Sequence, residues 1–172
     1  MSEKKYVAYV GSYTHGSSRQ GIHVYDVDVE NGTLTERSSV EVSNASHTAV
    51  SKNGKYLYSI EDEGVAVFER DKNGDLSRIN SVGIDGMRGC FLATDVDGRY
   101  LYVAGYHDGK ITAVHTHQDG RLGQVFDGVF HKGVGSVAER NFRPHVSCVK
   151  TTPEGKYVCA VDNGIDQVKI YR

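Results

Sequence analysis

The sequence predicts an all-β fold, specifically a part of a β-propeller, and two observations support this prediction. The first is residue usage, because 172 residues include 23 Val, 11 Tyr and 20 Gly but only 6 Leu and no Trp. That balance favours short strands joined by tight turns over helices. The second is that two short phrases recur about every 45 residues, a spacing typical of a propeller blade.

The two phrases mark different strands of each blade. The first is a basic residue followed by Tyr and then Val or Leu, and its tyrosines are Tyr6, Tyr56, Tyr100 and Tyr157. The second is Asn or Asp followed by Gly, any residue and Leu, and it begins at Asn31, Asn73 and Asp119. Asn-Gly and Asp-Gly between alternating apolar runs are strong hairpin signals. Each tyrosine therefore opens one strand, and each Asn/Asp-Gly turn precedes another.

Fourteen strands follow from these signals. The first blade has three, near 6–12, 21–29 and 34–42. The second has four, at 45–51, 56–61, 64–70 and 76–82, and the third has four, at 89–95, 100–106, 110–117 and 122–130. The fourth has three, near 145–151, 157–162 and 167–171. We therefore expect residues 1–172 to form one partial propeller domain with blades near 6–42, 45–82, 89–130 and 145–171.

The predicted arc is too short to close on itself. Propellers close with roughly four to eight blades, and this chain holds fewer than four full ones. An open arc would leave the packing faces of its terminal blades bare, which soluble proteins rarely tolerate. We therefore expect the ring to be completed by a missing C-terminal half, by a second chain or by self-association.

Charge and hydropathy exclude several partners. Lys and Arg total 20 against 22 Asp and Glu, so nothing draws the chain to nucleic acid or to an anionic membrane. No window approaches 18 consecutive apolar residues, and the first residues, MSEKKY, carry no apolar segment behind them, so a cytosolic location is expected. Cys90, Cys148 and Cys159 are odd in number and lack CxxC spacing, which predicts small buried side chains.

The repeat also sorts the connections between strands onto two faces. Strands within a blade run antiparallel, so the tight Gly-containing turns fall on one face, here called the turn face. The longer, irregular connections fall on the other, here called the mouth face. Loops that carry function on a rigid scaffold are usually of the second kind. We therefore expect the functional site on the mouth face.

One repeated position differs in residue type between blades. Five residues after the repeat tyrosines stand Gly11, Glu61, Gly105 and Asp162. A purely structural position would repeat its residue, so Glu61 and Asp162 are candidates for chemistry at the mouth. The alternative is that both are strand-end carboxylates that cap nearby backbone amides.

The connection from 131 to 145 (HKGVGSVAERNFRPH) is the longest in the chain. Its basic residues are His131, Lys132, Arg140, Arg143 and His145. Arg offers planar paired donors to phosphate or carboxylate, and His titrates near neutral pH. The segment is thus predicted to hold an anion and to exchange protons. The alternative is a solvated loop whose Arg residues pair with acids at the blade edges.

Metal binding is not expected. His115 and His117 share one face of a predicted strand, but no third ligand is evident near them. The acidic run 61–63 more often stays solvated than binds Ca²⁺. His23 and His107 receive no role.

Several motifs together resemble a known family. They are Gly11-Ser12-Tyr13-Thr14, Gly21-Ile22-His23-Val24-Tyr25, Asn44-Ala45-Ser46, Lys55-Tyr56-Leu57-Tyr58, Gly98 to Ala104, Arg143-Pro144-His145 and Asp162-Asn163-Gly164-Ile165-Asp166. The chain resembles the N-terminal half of the lactonase-type seven-bladed propellers, which are 6-phosphogluconolactonase-like and carboxymuconate cyclase-like proteins. The resemblance implies about three and a half blades of a seven-bladed ring.

The resemblance also implies an activity and a site. The activity is cofactor-free hydrolysis of a sugar lactone, in which Arg143 and Arg140 hold an anionic group and His145 or Glu61 activates water. The further substrate-binding residues that it implies are His131, Tyr13, Asn44, Tyr106 and Asp162.

Three alternatives remain open at this point. The first is a muconate-lactonising cyclase that uses the same Arg and His residues on a dicarboxylate. The second is a non-catalytic binding propeller or inactive fragment, favoured by Ser147 and Gly105, where the family tends to have His and Asn. The third is a metal-dependent lactonase.

Overall fold

The structure is a computed structural model that describes residues 6–14, 19–62, 64–136, 139 and 141–172. These residues form fourteen strands in four separate antiparallel sheets, and no helix occurs among them. No membrane-spanning helix is therefore found in this part of the chain. The predicted all-β, partial-propeller fold is confirmed.

The four sheets follow one another along the chain. The first contains β1 (Tyr6–Gly11), β2 (Gln20–Asp28) and β3 (Thr33–Glu41). The second contains β4 (Thr48–Val50), β5 (Tyr56–Glu61), β6 (Gly64–Arg70) and β7 (Leu76–Gly83). The third contains β8 (Phe91–Thr94), β9 (Tyr100–Gly105), β10 (Lys110–Thr116) and β11 (Leu122–Phe130). The fourth contains β12 (Val146–Thr151), β13 (Val158–Asp162) and β14 (Gln167–Tyr171).

Turn chemistry explains why the tight turns close where the sequence predicts them. The predicted turn glycines are Gly32, Gly54, Gly74, Gly98, Gly120 and Gly155, and their φ values lie between 65° and 87°. An L-residue with a Cβ rarely adopts that left-handed conformation. All six turns connect strands at the same end of the sheets, which makes the turn face regular.

The innermost strands are shorter than the sequence predicts. The strand predicted at 45–51 is regular only over Thr48–Val50. Asn44 has a φ of 55°, and its carbonyl accepts a bond from the amide of Ser46, so a turn occupies the start of the predicted strand. Pairing resumes at His47, whose carbonyl accepts the amide of Ile60.

The core is divided among the three junctions between neighbouring sheets. The largest cluster joins the second and third sheets through Ile60, Val65, Leu92, Leu101 and Val114, with others. A second cluster joins the first two sheets, and a third joins the last two. Each sheet therefore buries its apolar side chains against the next sheet, which is the packing of propeller blades.

The outermost strands are tied to each other by a repeated contact. On β3, the hydroxyl of Ser38 donates to Asp75, which directly precedes β7. On β7, the amide group of Asn80 bonds both the backbone N–H and the carbonyl of Leu122, the first residue of β11. On β11, the side chain of Phe126 is 66% exposed, and its ring centroid lies 5.2 Å from that of Tyr100. Ser38 and Asn80 thus each bond to the start of the outermost strand of the next blade.

The sheets at the two ends are incomplete in complementary ways. Tyr6, Tyr56 and Tyr100 begin β1, β5 and β9, so β1 is equivalent to the second strand of a four-stranded sheet. Among the described residues, the first sheet therefore has no innermost strand and the fourth sheet has no outermost one. Apolar side chains stay exposed at these edges, including Val168 and Ile170 on β14.

Asn80→Ala is expected to destabilise the chain. The substitution removes both side-chain bonds to Leu122 and leaves two backbone groups without these partners, so the free energy of unfolding should fall by about 1–3 kcal/mol. The free energy of unfolding is measured by urea titration, with circular dichroism as the signal. Ser77→Ala, at an exposed position of the same strand, is the matched control. Equal stability of Asn80→Ala and the wild type would contradict the role of this contact.

Candidate functional site

The mouth face gathers His145 and an aromatic partner from the neighbouring blade. His145 directly precedes β12 and is buried, with 7% of its surface exposed. Its ring stacks on that of Tyr106, with centroids 4.4 Å apart and planes at 16°. Its Nδ1 lies 2.8 Å from the backbone carbonyl of Tyr106, which can only accept a hydrogen bond. Nδ1 therefore carries the proton, and Nε2 holds the lone pair of the neutral ring.

A buried carboxylate fixes the backbone of His145. Asp162 ends β13 and is 1% exposed. Its Oδ1 accepts the backbone N–H groups of His145, at 2.8 Å, and of Gly164, at 3.0 Å. A Cβ at Gly164 would lie 1.9 Å from the carbonyl oxygen of Arg143, so only glycine permits this approach. Asp162 thus sets the path of the chain that enters β12.

The second oxygen of Asp162 binds a buried histidine. Nδ1 of His131 lies 2.6 Å from Oδ2, and Nε2 of His131 lies 2.8 Å from the hydroxyl of Tyr171 on β14. Burial lowers the pKa of His131, although the bond to Asp162 opposes that effect. The neutral ring donates from Nδ1 to Asp162 and accepts the Tyr171 hydroxyl at Nε2. The side chains of His131 and Asp162 lie below the surface and join the third and fourth blades. Their contact with substrate therefore stays a prediction.

Glu61 lies on the mouth face, but its carboxylate is paired with Arg78. It ends β5, and both of its carboxylate oxygens accept bonds from Nη2 of Arg78, at 2.9 and 2.7 Å. Arg78 also donates to the backbone carbonyl of Glu41. The ion pair therefore lies within the second blade, and the Arg78 bond to Glu41 joins that blade to the first. No bond connects Glu61 to His145 among the described residues.

Gly105, at the same repeat position as Glu61, has a steric reason to be glycine. A Cβ there would lie 2.3 Å from a carboxylate oxygen of Asp108. The carboxylate therefore fills the space beside Gly105 in which a longer side chain would stand.

A second group of polar side chains surrounds a cavity of about 610 Å³. The residues that line the cavity are Asp62, Met87, Arg88 and His107. The guanidinium of Arg88 lies 5.1 Å from the centre of the Tyr13 ring, and the Asn44 side chain donates to Asp62 at 2.6 Å. His107 makes an edge contact with the Tyr106 ring, 5.7 Å between centroids. Tyr106 thus connects the cavity to the ring of His145.

The loop before His145 is held in place by Asp166. One carboxylate oxygen accepts the backbone N–H and the hydroxyl of Ser136, and the other accepts the side chain of Asn141 at 2.8 Å. These bonds lower the pKa of Asp166. Arg143 is exposed, with its guanidinium 5.6 Å from the Phe142 ring. Arg140 lies outside the described residues.

The structure thus brings most of the predicted residues to one face, in two groups. Tyr106, His131, His145 and Asp162 meet at the junction of the third and fourth blades, whereas Tyr13 and Asn44 stand beside the cavity. Arg88, Asp62 and His107 were not selected from the sequence. The signal for Arg88 was a cation between Gly86 and Gly89 on a mouth-face connection.

The two histidines considered as metal ligands lie close together on the third blade. His115 and His117 have ring centroids 5.1 Å apart. Across the described ranges, no group of three or more His, Cys, Asp or Glu residues is placed to hold a metal ion.

Four blade-like sheets in sequence, with a polar mouth on one face, define a β-propeller arc. The profile of the family described as "Lactonase, 7-bladed beta-propeller" matches residues 7–172. The chain belongs to this family.

Relatives agree with that membership. A 6-phosphogluconolactonase from Bacillus subtilis is 37% identical over 98% of this chain and 49% of its own length. A crystal structure from Bacteroides fragilis superposes with a TM-score of 0.90 at 34% identity, covering 98% of this chain and 48% of the other. The structure of a periplasmic gluconolactonase from Pseudomonas aeruginosa superposes with a TM-score of 0.88 at 27% identity. It covers 98% of this chain and 50% of the other. The chain therefore spans about half the length of the relatives that it matches.

Protonation of His131 is expected to make stability depend on pH. The unfolded chain binds a proton below about pH 6.5, whereas the folded protein resists that proton because the pKa of His131 is lowered. The free energy of unfolding should therefore fall between pH 7.5 and 5.5. His131→Gln retains a donor toward Asp162 but cannot titrate, so it should flatten this dependence.

Urea unfolding at several pH values measures the effect. His115→Gln is the control, because it removes a histidine with no bond to a buried carboxylate in the described residues. A pH dependence of His131→Gln equal to that of the wild type would contradict the assignment.

Proposed function

We propose that this chain, in a closed ring, hydrolyses a sugar lactone in the manner of a 6-phosphogluconolactonase and without a cofactor. The observation that carries the proposal is the ring of His145, whose Nδ1–H is tied to the carbonyl of Tyr106. That bond leaves Nε2 as a proton acceptor in the neutral ring. Family membership and the name of the Bacillus subtilis relative support the substrate class.

The proposed reaction uses His145 as a general base and then as a general acid. Nε2 takes a proton from water while the water oxygen bonds to the lactone carbonyl carbon. The tetrahedral intermediate collapses by breaking the bond between that carbon and the ring oxygen. The leaving oxygen then takes the proton from Nε2, which yields the open-chain sugar acid and restores the neutral histidine.

The other predicted site residues receive supporting roles. We propose His145 rather than Glu61 as the base, because the carboxylate of Glu61 already accepts two bonds from Arg78. Arg143, exposed two residues before His145, is proposed with Arg140 to hold an anionic group of the substrate. Asp162 supports catalysis by fixing the backbone of His145.

We further propose that residues 1–172 form one partial domain, closed in the cytosol by the missing C-terminal half of a longer protein. As far as the structure describes the chain, the first sheet has no inner strand and the fourth has no outer one, and in this proposal the closing part supplies both. Two copies of this chain would give eight sheets, four of them with only three strands. Relatives of twice the length support the first arrangement over self-association.

His145→Ala is expected to lower kcat/KM for 6-phosphogluconolactone by a factor of about 10² to 10⁴, the usual contribution of a general base. The measurement is lactone hydrolysis by the ring-closed protein, corrected for spontaneous opening. His117→Ala, on the turn face, is the matched control and should leave the rate unchanged.

Other outcomes decide between the alternatives. Unchanged hydrolysis in His145→Ala would remove the base role of this residue. Cyclisation of a muconate without hydrolysis of the lactone would favour the cyclase, and ligand binding without any turnover would favour a binding propeller.

A further inference from the structure

We propose that Arg88 is the residue that binds the anionic group of a small polyhydroxylated anion, a sugar phosphate or sugar acid, and that buried Lys110 positions it. The proposal deepens the proposed function, on which its choice of ligand rests. It makes Arg88, in the cavity beside Tyr13, the principal contact of the anionic group, with Arg143 and Arg140 as secondary contacts. Three observations support the proposal. The guanidinium of Arg88 is unpaired in the described residues, the segment that carries it is held by Lys110, and the cavity contains both a cation and a carboxylate.

The side chain of Arg88 contacts an aromatic ring but no carboxylate in the described residues. Its guanidinium carbon lies over the ring of Tyr13, 5.1 Å from the centre, which is a cation–π contact that holds the cation beside the cavity. Within the described part of the chain it makes no hydrogen bond or ion pair, whereas Arg37, Arg78, Arg99 and Arg121 each pair with a carboxylate. A preoriented Arg that lines a cavity retains its paired donors for a phosphate or carboxylate.

The segment that carries Arg88 is held by a buried lysine. Lys110, on β10, is 6% exposed, and its Nζ donates to the backbone carbonyls of Ile84, at 3.0 Å, and Asp85, at 2.8 Å. Nζ also lies 5.3 Å from the centre of the Phe130 ring. Burying an ammonium group is costly unless its donors are satisfied, so these bonds bind the segment firmly to the third blade.

A second contact fixes the same segment next to Arg88. A carboxylate oxygen of Asp108 accepts the backbone N–H of Met87 at 2.9 Å. A Cβ at Gly86 would lie 2.7 Å from that oxygen, so the segment passes as close to Asp108 as a glycine permits. Lys110 and Asp108 therefore determine where the backbone presents the Arg88 side chain.

The cavity also favours hydroxyl groups over a simple ion. Asp62 lines it together with Arg88, and its carboxylate accepts a bond from Asn44. A carboxylate repels a bare anion but accepts hydrogen bonds from hydroxyls. A ligand with an anionic group at Arg88 and hydroxyls toward Asp62 satisfies both residues. The volume of about 610 Å³ is in the usual range for a small-molecule site.

The test is calorimetric titration of the full 172-residue chain with 6-phosphogluconate and with gluconate. Arg88→Gln is expected to raise the Kd of 6-phosphogluconate about tenfold or more, because it removes charged, paired donors. Arg99→Gln, on the turn face, is the matched control. If Arg88→Gln loses affinity for both probes, Arg88 binds the carboxylate. If it loses affinity for 6-phosphogluconate alone, Arg88 binds the phosphate.

A double-mutant cycle tests the positioning role of Lys110. Lys110→Met should raise the Kd of 6-phosphogluconate in the wild-type background but change it little in the Arg88→Gln background, because it acts through Arg88. Additive effects would overturn that role. If Lys110→Met does not fold, Asp108→Asn replaces it in the cycle.

Two results would overturn the anion site. The first is wild-type affinity in Arg88→Gln, and lost affinity in Arg143→Gln would then assign the anion to Arg143. The second is the absence of 6-phosphogluconate binding to the wild-type chain. These results need no turnover, so they are distinct from a failure of lactone hydrolysis in the ring-closed protein.

Discussion

The carboxylate of Asp162 is the interaction on which the candidate site depends. One of its oxygens binds the backbone of His145 and Gly164, and the other binds the ring of His131. Both ends of the connection 131–145 and the connection from β13 to β14 therefore meet at one buried carboxylate, whose hydrogen bonds compensate the cost of burial. Without it, the entry to β12 would lose the bonds that hold His145 against Tyr106.

The two faces of the arc use polar residues differently. On the turn face, Asp and Asn side chains cap the amides of their own turns, as Asp71 does for Asn73 and Asp75. On the mouth face, side chains bond to groups of a neighbouring blade, as Asp162 does with His131 and Arg78 does with the carbonyl of Glu41. Cross-blade bonds position groups that are distant in sequence, which a site built from several loops requires. The turn face thus stabilises the arc, and the mouth face carries the candidate site.

The fold could be predicted from the sequence because its determinants are local and repeated. Tyr phrases and Asn/Asp-Gly turns located the strands that follow them, since turn geometry and alternation act within a few residues. They did not predict the turn at Asn44, which shortens the strand expected at 45–51 to Thr48–Val50. The partners of the site residues could not be predicted in this way. Tyr171 lies 40 residues from His131, and Tyr106 lies 39 from His145, so their contacts depend on how whole blades pack. Arg88 was missed for the same reason, because its Tyr13 partner belongs to another blade.

The central claim is that His145 holds its proton on Nδ1 and offers the lone pair of Nε2. A long-range ¹H–¹⁵N correlation spectrum of the ring-closed protein at neutral pH measures the tautomer directly, with His145→Gln identifying the signal. The account predicts a pyrrole-type shift for Nδ1 and a pyridine-type shift for Nε2. The reverse assignment, with the proton on Nε2, would contradict it.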